Sequence, residues 1–557
     1  MALFSIKNLS FAYPGAKYRA LDNVNLEIKK GSLTLLCGRS GCGKTTLLKH
    51  LKNELTPYGT VDGEILFEDK PLKNLTLMES AQKIGFVMQN ADNQIVTDKV
   101  YSELAFGLES LGLDGGAIKR RIAEMASFFG IHRWFRFDTH KLSGGQKQML
   151  NLASVMVMQP EALLLDEPTA QLDPIAAGEF LNAVIRINNN FGTTVIITEH
   201  RLDEIFHATD NVIIMNGGAV IDAGTPRETA ARAVISQNAQ SAARAFPAAV
   251  RLYGGLGTGG ECPVTVKEGA AYLKKHINRP PSVSKKNIAE PVASVKKNGG
   301  SAVKITEAFF RYERDSEDVL SDLSASFSFG EITCVLGGNG SGKTTLLGCI
   351  GGINKLYRGR IEISGRKIES YKNGSLYDGV ISSLPQNPEM LFVNNTVIKE
   401  LEDVAGNAED IEMVIQETGV AGLLDSHPFD LSGGEQQKAA LAKILLTKPK
   451  IILLDEPTKG LDAFYKQGLS ALLKKLTANG VAVIISTHDV EFAATAADKC
   501  MLLFDGAVLS AGSPVDFFGG NYFYTSAANR IARSAGFDSV TVETLIEACL
   551  AAGVKAN

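Results

Sequence analysis

At 557 residues, with 45% hydrophobic and 21% charged side chains, the chain is too long for one core and too apolar for disorder. A formal net charge of −4 argues against a broadly basic nucleic-acid surface. The seven cysteines are scattered without a C-x-x-C pair, which fits free thiols in a reducing compartment and argues against a zinc or iron–sulfur centre. Neither a signal-peptide pattern nor an apolar run of about 18 residues appears, so membrane contact is expected only through partners.

In chain order, Tyr13 comes first, an aromatic ring that can stack on a nucleobase. Residues 33–37 (LTLLC) read as a buried strand. Gly38-Arg39-Ser40-Gly41-Cys42-Gly43-Lys44-Thr45-Thr46 follows and opens a helical run. This is G-x-x-x-x-G-K-[ST] between strand and helix, the context a phosphate-binding loop requires. Backbone N–H groups and the helix N-terminus cradle phosphate oxygens, Lys44 reaches the outer phosphates, and Thr45 offers a hydroxyl to Mg²⁺. A strand over 84–88 (IGFVM) leads to Gln89, whose amide can ligate Mg²⁺ or orient a water.

Ser143-Gly144-Gly145-Gln146 opens the next helix. Serine is a good N-cap, and the glycines let a ligand approach the backbone closely. That makes an anion site without a phosphate loop of its own, suited to a phosphate presented by another domain. Residues 162–166 (ALLLD) are continuously apolar, as in a parallel strand covered on both faces. Asp166 ends that strand as a Mg²⁺ ligand, and Glu167 is the general-base candidate for activating a water. Asp173 sits in the following loop, where it could reach an opposite subunit. The strand 194–198 (TVIIT) ends at Glu199-His200, and His200 could hydrogen-bond both phosphate and water.

The same text then returns. Leu142–Asp173 is matched by 431–462, 289 positions later. Tyr312 repeats Tyr13. Gly337-Gly338-Asn339-Gly340-Ser341-Gly342-Lys343-Thr344-Thr345 repeats the phosphate loop, and Gln386 repeats Gln89. Ser432-Gly433-Gly434-Glu435 repeats the helix start, with Glu435 where the first copy has Gln146. Asp455 repeats the Mg²⁺ ligand, Glu456 the base, and His488 the histidine. The offset between copies shrinks mainly between the glutamine and the serine-glycine motif, so the second copy carries a shorter insert there. The expected organisation is a first nucleotide domain over 1–224, a helical extension over 225–277, a Pro/Lys-rich linker over 278–300, a second nucleotide domain over 301–512, and a second helical extension over 513–557.

Phosphate loop, glutamine, LSGGQ, hydrophobic-Asp-Glu and histidine, in this order and twice, resemble the ATP-binding cassette (ABC) ATPases. The resemblance covers nearly the whole chain except the linker. It implies an α/β fold with two tandem P-loop domains, each a RecA-like core with an antiparallel β subdomain and a helical subdomain, and ATP with Mg²⁺ as ligands. It also implies a head-to-tail sandwich in which each half's LSGGQ-type motif completes the other half's site. Gln89-Asn-Ala-Asp-Asn-Gln-Ile-Val and then Glu103-Leu-Ala-Phe-Gly-Leu-Glu-Ser-Leu-Gly-Leu resemble the ATPase subunits of energy-coupling-factor (ECF) importers, although Ala91 stands where proline is usual. The implied partners are a transmembrane coupling protein and a small substrate-binding membrane protein, with the chain peripheral at the cytoplasmic face of the membrane. A tandem cassette acting on ribosomes would carry a long, highly charged helical linker. A tandem sugar-importer ATPase often carries one degraded site. Neither feature is seen.

Overall fold

The structure, a computed structural model, describes residues 1–16, 18–236, 243–277, 300–522 and 524–554. All of the expected linker except Gly300 lies outside the described residues. The chain divides into two compact units, one built mainly on Met1–Gly269 and the other mainly on the chain from Ala270 onward.

Each unit is organised on a six-stranded, mostly parallel sheet. In the first, the order is Ala219–Gly224, Asn211–Asn216, Leu33–Gly38, Thr194–Thr198, Ala162–Asp166, Ile84–Val87, and only the Ala219–Gly224 edge runs antiparallel to its neighbour. In the second, Ile381–Leu384, Ile451–Asp455, Ala482–Thr487, Ile332–Leu336, Lys499–Phe504 and Ala507–Gly512 lie side by side, again with one antiparallel edge. The strands read as unbroken apolar runs because neighbouring residues serve different cores. Leu163, Leu165, Val195 and Ile197 belong to one cluster with the helices. Ala162, Leu164 and Ile196 belong to another with a small antiparallel sheet.

That second sheet has the order Leu21–Lys29, Ala2–Ala12, Thr60–Phe67, Lys70–Pro71, and its counterpart is Leu320–Ser328, Ser301–Phe310, Arg358–Ile363, Arg366–Lys367. Over the other face of the first unit's large sheet lie the helices Val100–Ser110, Gly115–Phe128 and Gly144–Met156. The second unit has the shorter Val397–Glu402 and Ala408–Thr418 in place of the first two of these, which together account for the shrinking offset. Among the described residues, Pro226–Ile235, Ala248–Leu256 and Val266–His276 follow the first large sheet. Pro514–Gly520, Ala527–Arg533 and Val542–Ala551 follow the second. No helix among the described residues is long and apolar enough to cross a membrane.

Leu164 is fully buried at the centre of the strand Ala162–Asp166, which is paired on both sides. Leu164→Ala is expected to cost about 3 kcal/mol, because a strand locked by two ladders cannot collapse onto the void. A lower denaturation midpoint of the first unit, measured in urea, checks this.

Candidate functional site

In the first unit four chain segments converge at the C-terminal ends of the parallel strands. After Leu33–Gly38 the chain turns through Arg39, Ser40 and Gly41, all exposed, into the helix Lys44–His50. The helix has no side-chain cap, since Gly43 stands at the N-cap with φ 98°, so its first N–H groups remain available to an anion. A Cβ on Gly43 would lie 2.4 Å from the Ala20 carbonyl oxygen, and only glycine fits. Lys44 is buried and donates to the Gly38 and Arg39 carbonyl oxygens at 2.9 and 3.0 Å. Lys343 does the same to Gly337 and Gly338, both at 3.0 Å, below the exposed Asn339 and Gly340.

Beside the loop, Thr45 Oγ1 donates to Asp166 Oδ1 at 2.9 Å, and Thr198 Oγ1 donates to the same oxygen at 3.0 Å. Burial, and then the charge of Glu167, push the Asp166 carboxyl above the usual carboxylate range. Asp455 is likewise raised by burial, although Ser486 and Thr344 bond to it. Hydroxyl, carboxylate and the nearby amide of Gln89 form a hard oxygen donor set, and a cation there would relieve a buried negative charge. The residues therefore fit Mg²⁺ held partly by water and phosphate. No cluster of three or more His, Cys, Asp or Glu that could hold a metal alone occurs among the described residues.

Glu167 and Glu456 are non-glycine residues at φ 44° and 49°, in the left-handed region. The backbone is held there by the Glu167 N–H donating to Thr198 Oγ1 at 2.8 Å, and by the Glu456 N–H donating to the Ser486 carbonyl oxygen at 2.9 Å. Such a bend carries a cost of order 1 kcal/mol or more and aims the side chain out of the sheet. Glu167 Oε1 lies 2.8 Å from His200 Nε2, and Glu167 Oε2 accepts from Gln89 Nε2 at 2.9 Å. Burial pushes the Glu167 carboxyl up, but the adjacent His200 and Lys44 outweigh it, and the group stays below its ordinary range. In the second unit Glu456 Oε2 lies 2.8 Å from His488 Nδ1, and Glu456 Oε1 lies 4.0 Å from Lys343 Nζ. Gln386 is exposed in the place corresponding to Gln89.

Tyr13 lies just past the strand Ala2–Ala12, half exposed, with its hydroxyl 3.2 Å from Thr46 Oγ1 and its ring edge-on to Phe11. Tyr312 repeats this with Thr345 at 3.0 Å and Phe310. Thr46 and Thr345 thus spend their hydroxyls on the tyrosines, and their part in the cradle is through the backbone. Ser143–Gln146 stand apart from the Lys44 group. Ser143 caps the helix Gly144–Met156, and the Gln146 side chain folds back on the Ser143 N–H at 2.9 Å. Glu435 does the same to Ser432 at 2.9 Å, so the Gln146/Glu435 difference preserves the capping box. Asp173 caps the helix Pro174–Phe191.

The Cys42 side chain turns away from the cradle. The backbone of Cys42 belongs to the cradle, but its thiol is buried in the core shared with Leu36 and Leu47, and burial raises its pKa. Alkylation of that thiol is therefore expected to be slow with or without a nucleotide. The sequence reading also passed over Glu199. This carboxylate is 3% exposed and accepts from the Thr169 N–H at 3.1 Å and the His200 N–H at 3.2 Å. Its signal was an acid ending an apolar strand where the second copy has Thr487.

A family model described as ABC transporter matches residues 21–170 and again 320–459. An ABC transporter ATP-binding protein of Bacillus anthracis is 40% identical over 98% of both chains. The solved cbiO1 of Clostridium perfringens, described as part of the ABC transporter complex cbiONQ, is 32% identical over 43% of this chain and 92% of its own, with a TM-score of 0.38. An archaeal ribosome recycling factor, solved with a ribosomal stalk protein, aligns over 91% of this chain and 90% of its own at 18% identity and a TM-score of 0.56. That last likeness is one of fold.

Burial pushes the Glu199 carboxyl up to about 7 from 4.5. The folded chain then holds a proton between pH 4.5 and 7 that the unfolded chain has released. Stability from this group is full below pH 4.5, falls as pH rises to 7, and is flat above, a loss of roughly 3 kcal/mol at most. Glu199→Gln is expected to flatten that slope, as read from denaturation midpoints at pH 5, 6, 7 and 8.

Proposed function

The chain belongs to the ABC transporter ATP-binding proteins and hydrolyses ATP, and on that premise we propose that it is the double ATPase subunit of an ECF-type importer. The observation that carries this reading is the segment Gln89–Val96 with Glu103. Gln94 binds the Met88 N–H through its Oε1 and the Phe86 carbonyl through its Nε2, and Asn90 caps the short turn Ala91–Asn93. Gln148 and Asn151, from the helix that Ser143 opens, donate to the Met88 and Ala91 carbonyls at 3.0 Å each. Glu103, buried, gathers the Val96 and Thr97 N–H groups at 3.1 and 2.8 Å. The ECF-like string is thus used residue by residue to join the glutamine loop to the helical layer. The paired helical extensions support the same reading.

In this proposal Lys44, the cradle amides and Tyr13 bind ATP in the first cassette, and Lys343 with Tyr312 does so in the second. Thr45, Gln89 and Asp166, and Thr344, Gln386 and Asp455, hold Mg²⁺, which when bound neutralises phosphate charge. Glu167 and Glu456 take the proton of the attacking water, while His200 and His488 orient each base and donate toward the γ-phosphate. Ser143–Gln146 and Ser432–Glu435 are the further ATP-binding motifs of this proposal. Hydrolysis of ATP drives uptake of a small micronutrient. The partners are a transmembrane coupling protein and a small substrate-binding membrane protein, which hold the chain at the cytoplasmic face of the membrane.

Two measurements check this. The double variant Glu167→Gln, Glu456→Gln is expected to bind ATP yet turn over about 100-fold or more slower; ordinary turnover would remove both glutamates from the role of base. Purification of the chain from its own detergent-extracted membranes is expected to return two small integral membrane proteins. Recovery of ribosomes without them would overturn the importer reading.

A further inference from the structure

We infer that Glu199 is a positioning residue of the first ATP site, and that its carboxylate sets the first cassette's catalytic group in a different arrangement from the second's. The inference rests on Glu167 and Glu456 being the bases.

The two cassettes differ in how the base and the histidine are held. In the first, Glu199 Oε2 accepts the His200 backbone N–H at 3.2 Å while Oε1 accepts the Thr169 N–H at 3.1 Å. One buried carboxylate therefore joins the residue two places after the base to the histidine that faces the base. In the second cassette Thr487 occupies that position, and its hydroxyl accepts instead from the Asp489 N–H at 3.0 Å. The His488 N–H turns to the base itself and lies 3.4 Å from Glu456 Oε2.

This exchange has a chemical consequence. In the second cassette one oxygen of Glu456 faces both the His488 ring and its backbone amide, and the other lies toward Lys343. In the first cassette Glu199 takes the amide. Glu167 then offers one oxygen to the His200 ring and keeps the other for the Gln89 side chain. The ring also presents a different nitrogen, Nε2 in the first cassette and Nδ1 in the second. Glu199 thus leaves Glu167 open to the glutamine loop, so the first base is wired to the helical layer and the second to its own phosphate loop. A carboxylate is otherwise an expensive choice for a site 3% exposed, where the second cassette manages with a threonine.

The test is single-turnover ATP hydrolysis by the full-length chain in a Glu456→Gln background, where the first site supplies the chemistry. Glu199→Thr is expected to lower the maximal rate about 10-fold, with the half-saturating concentration changed less than about 2-fold. Glu199→Gln, which keeps an acceptor for a backbone N–H, is expected to return to within about 3-fold of the parent. A rate within 2-fold of the parent for Glu199→Thr, a loss confined to half-saturation, or a Glu199→Gln variant no better than Glu199→Thr would each overturn the inference. Should Glu199→Thr fail to fold by thermal unfolding, Glu199→Asp, which draws the carboxylate back by one methylene, is read against the same limits. Adding Glu167→Gln to the parent separates the two readings: hydrolysis that survives it removes Glu167 as base, whatever Glu199 does.

Discussion

The buried carboxylate of Asp166 is the constraint around which the first cassette is built. It ends one strand, accepts from Thr198 at the end of the next, and accepts from Thr45 on the helix that follows the phosphate loop. An uncompensated charge at that depth would cost several kcal/mol, so these donors are needed to hold it. Asp455 and Ser486 stand opposite each other in the second sheet in the same register. With the aspartate fixed, the next residue has little freedom: the chain must turn through a left-handed bend, and the glutamate side chain leaves the sheet facing the histidine.

The two copies have kept this frame and varied what surrounds it. Cys42 is replaced by Ser341, Gln146 by Glu435 and Glu199 by Thr487. The first two changes are absorbed locally, one under the cradle and one inside a capping box. The third goes with a change in which groups meet the glutamate after the aspartate, Glu167 in one copy and Glu456 in the other. Two sites built from one pattern need not present the same chemistry, and a single buried side chain next to the histidine suffices to separate them.

Much of the fold was legible because the repeated motifs sit where geometry leaves few alternatives. An apolar strand followed by G-x-x-x-x-G-K-T has one use, and LLLDEP ends a parallel strand with its acids outward. Ser143 was readable as a cap because the side chain three residues later could close the box. Glu199 was missed since its partners are backbone N–H groups, which no sequence pattern reveals. The inward Cys42 side chain was not legible either, because a residue next to an exposed glycine can still be buried. The bends at Glu167 and Glu456 were invisible too, since glutamate gives no hint that it will adopt a positive φ.

The division of each large sheet between two cores limits how such a chain can change in length. In Ala162–Asp166 neighbouring residues answer alternately to the helical cluster and to the antiparallel sheet. One residue gained or lost inside the strand would exchange both sets at once and carry Asp166 away from Thr45. Insertions and deletions are therefore tolerated only where no ladder measures the chain. The spacing between copies obeys this: it is 297 at the glutamines, 289 at the serines, 289 at the aspartates and 288 at the histidines. Nearly the whole difference falls in the helical layer, where Val100–Ser110 and Gly115–Phe128 give way to Val397–Glu402 and Ala408–Thr418. The sheet acts as a fixed ruler, and the length of the helical layer is the part left free to drift.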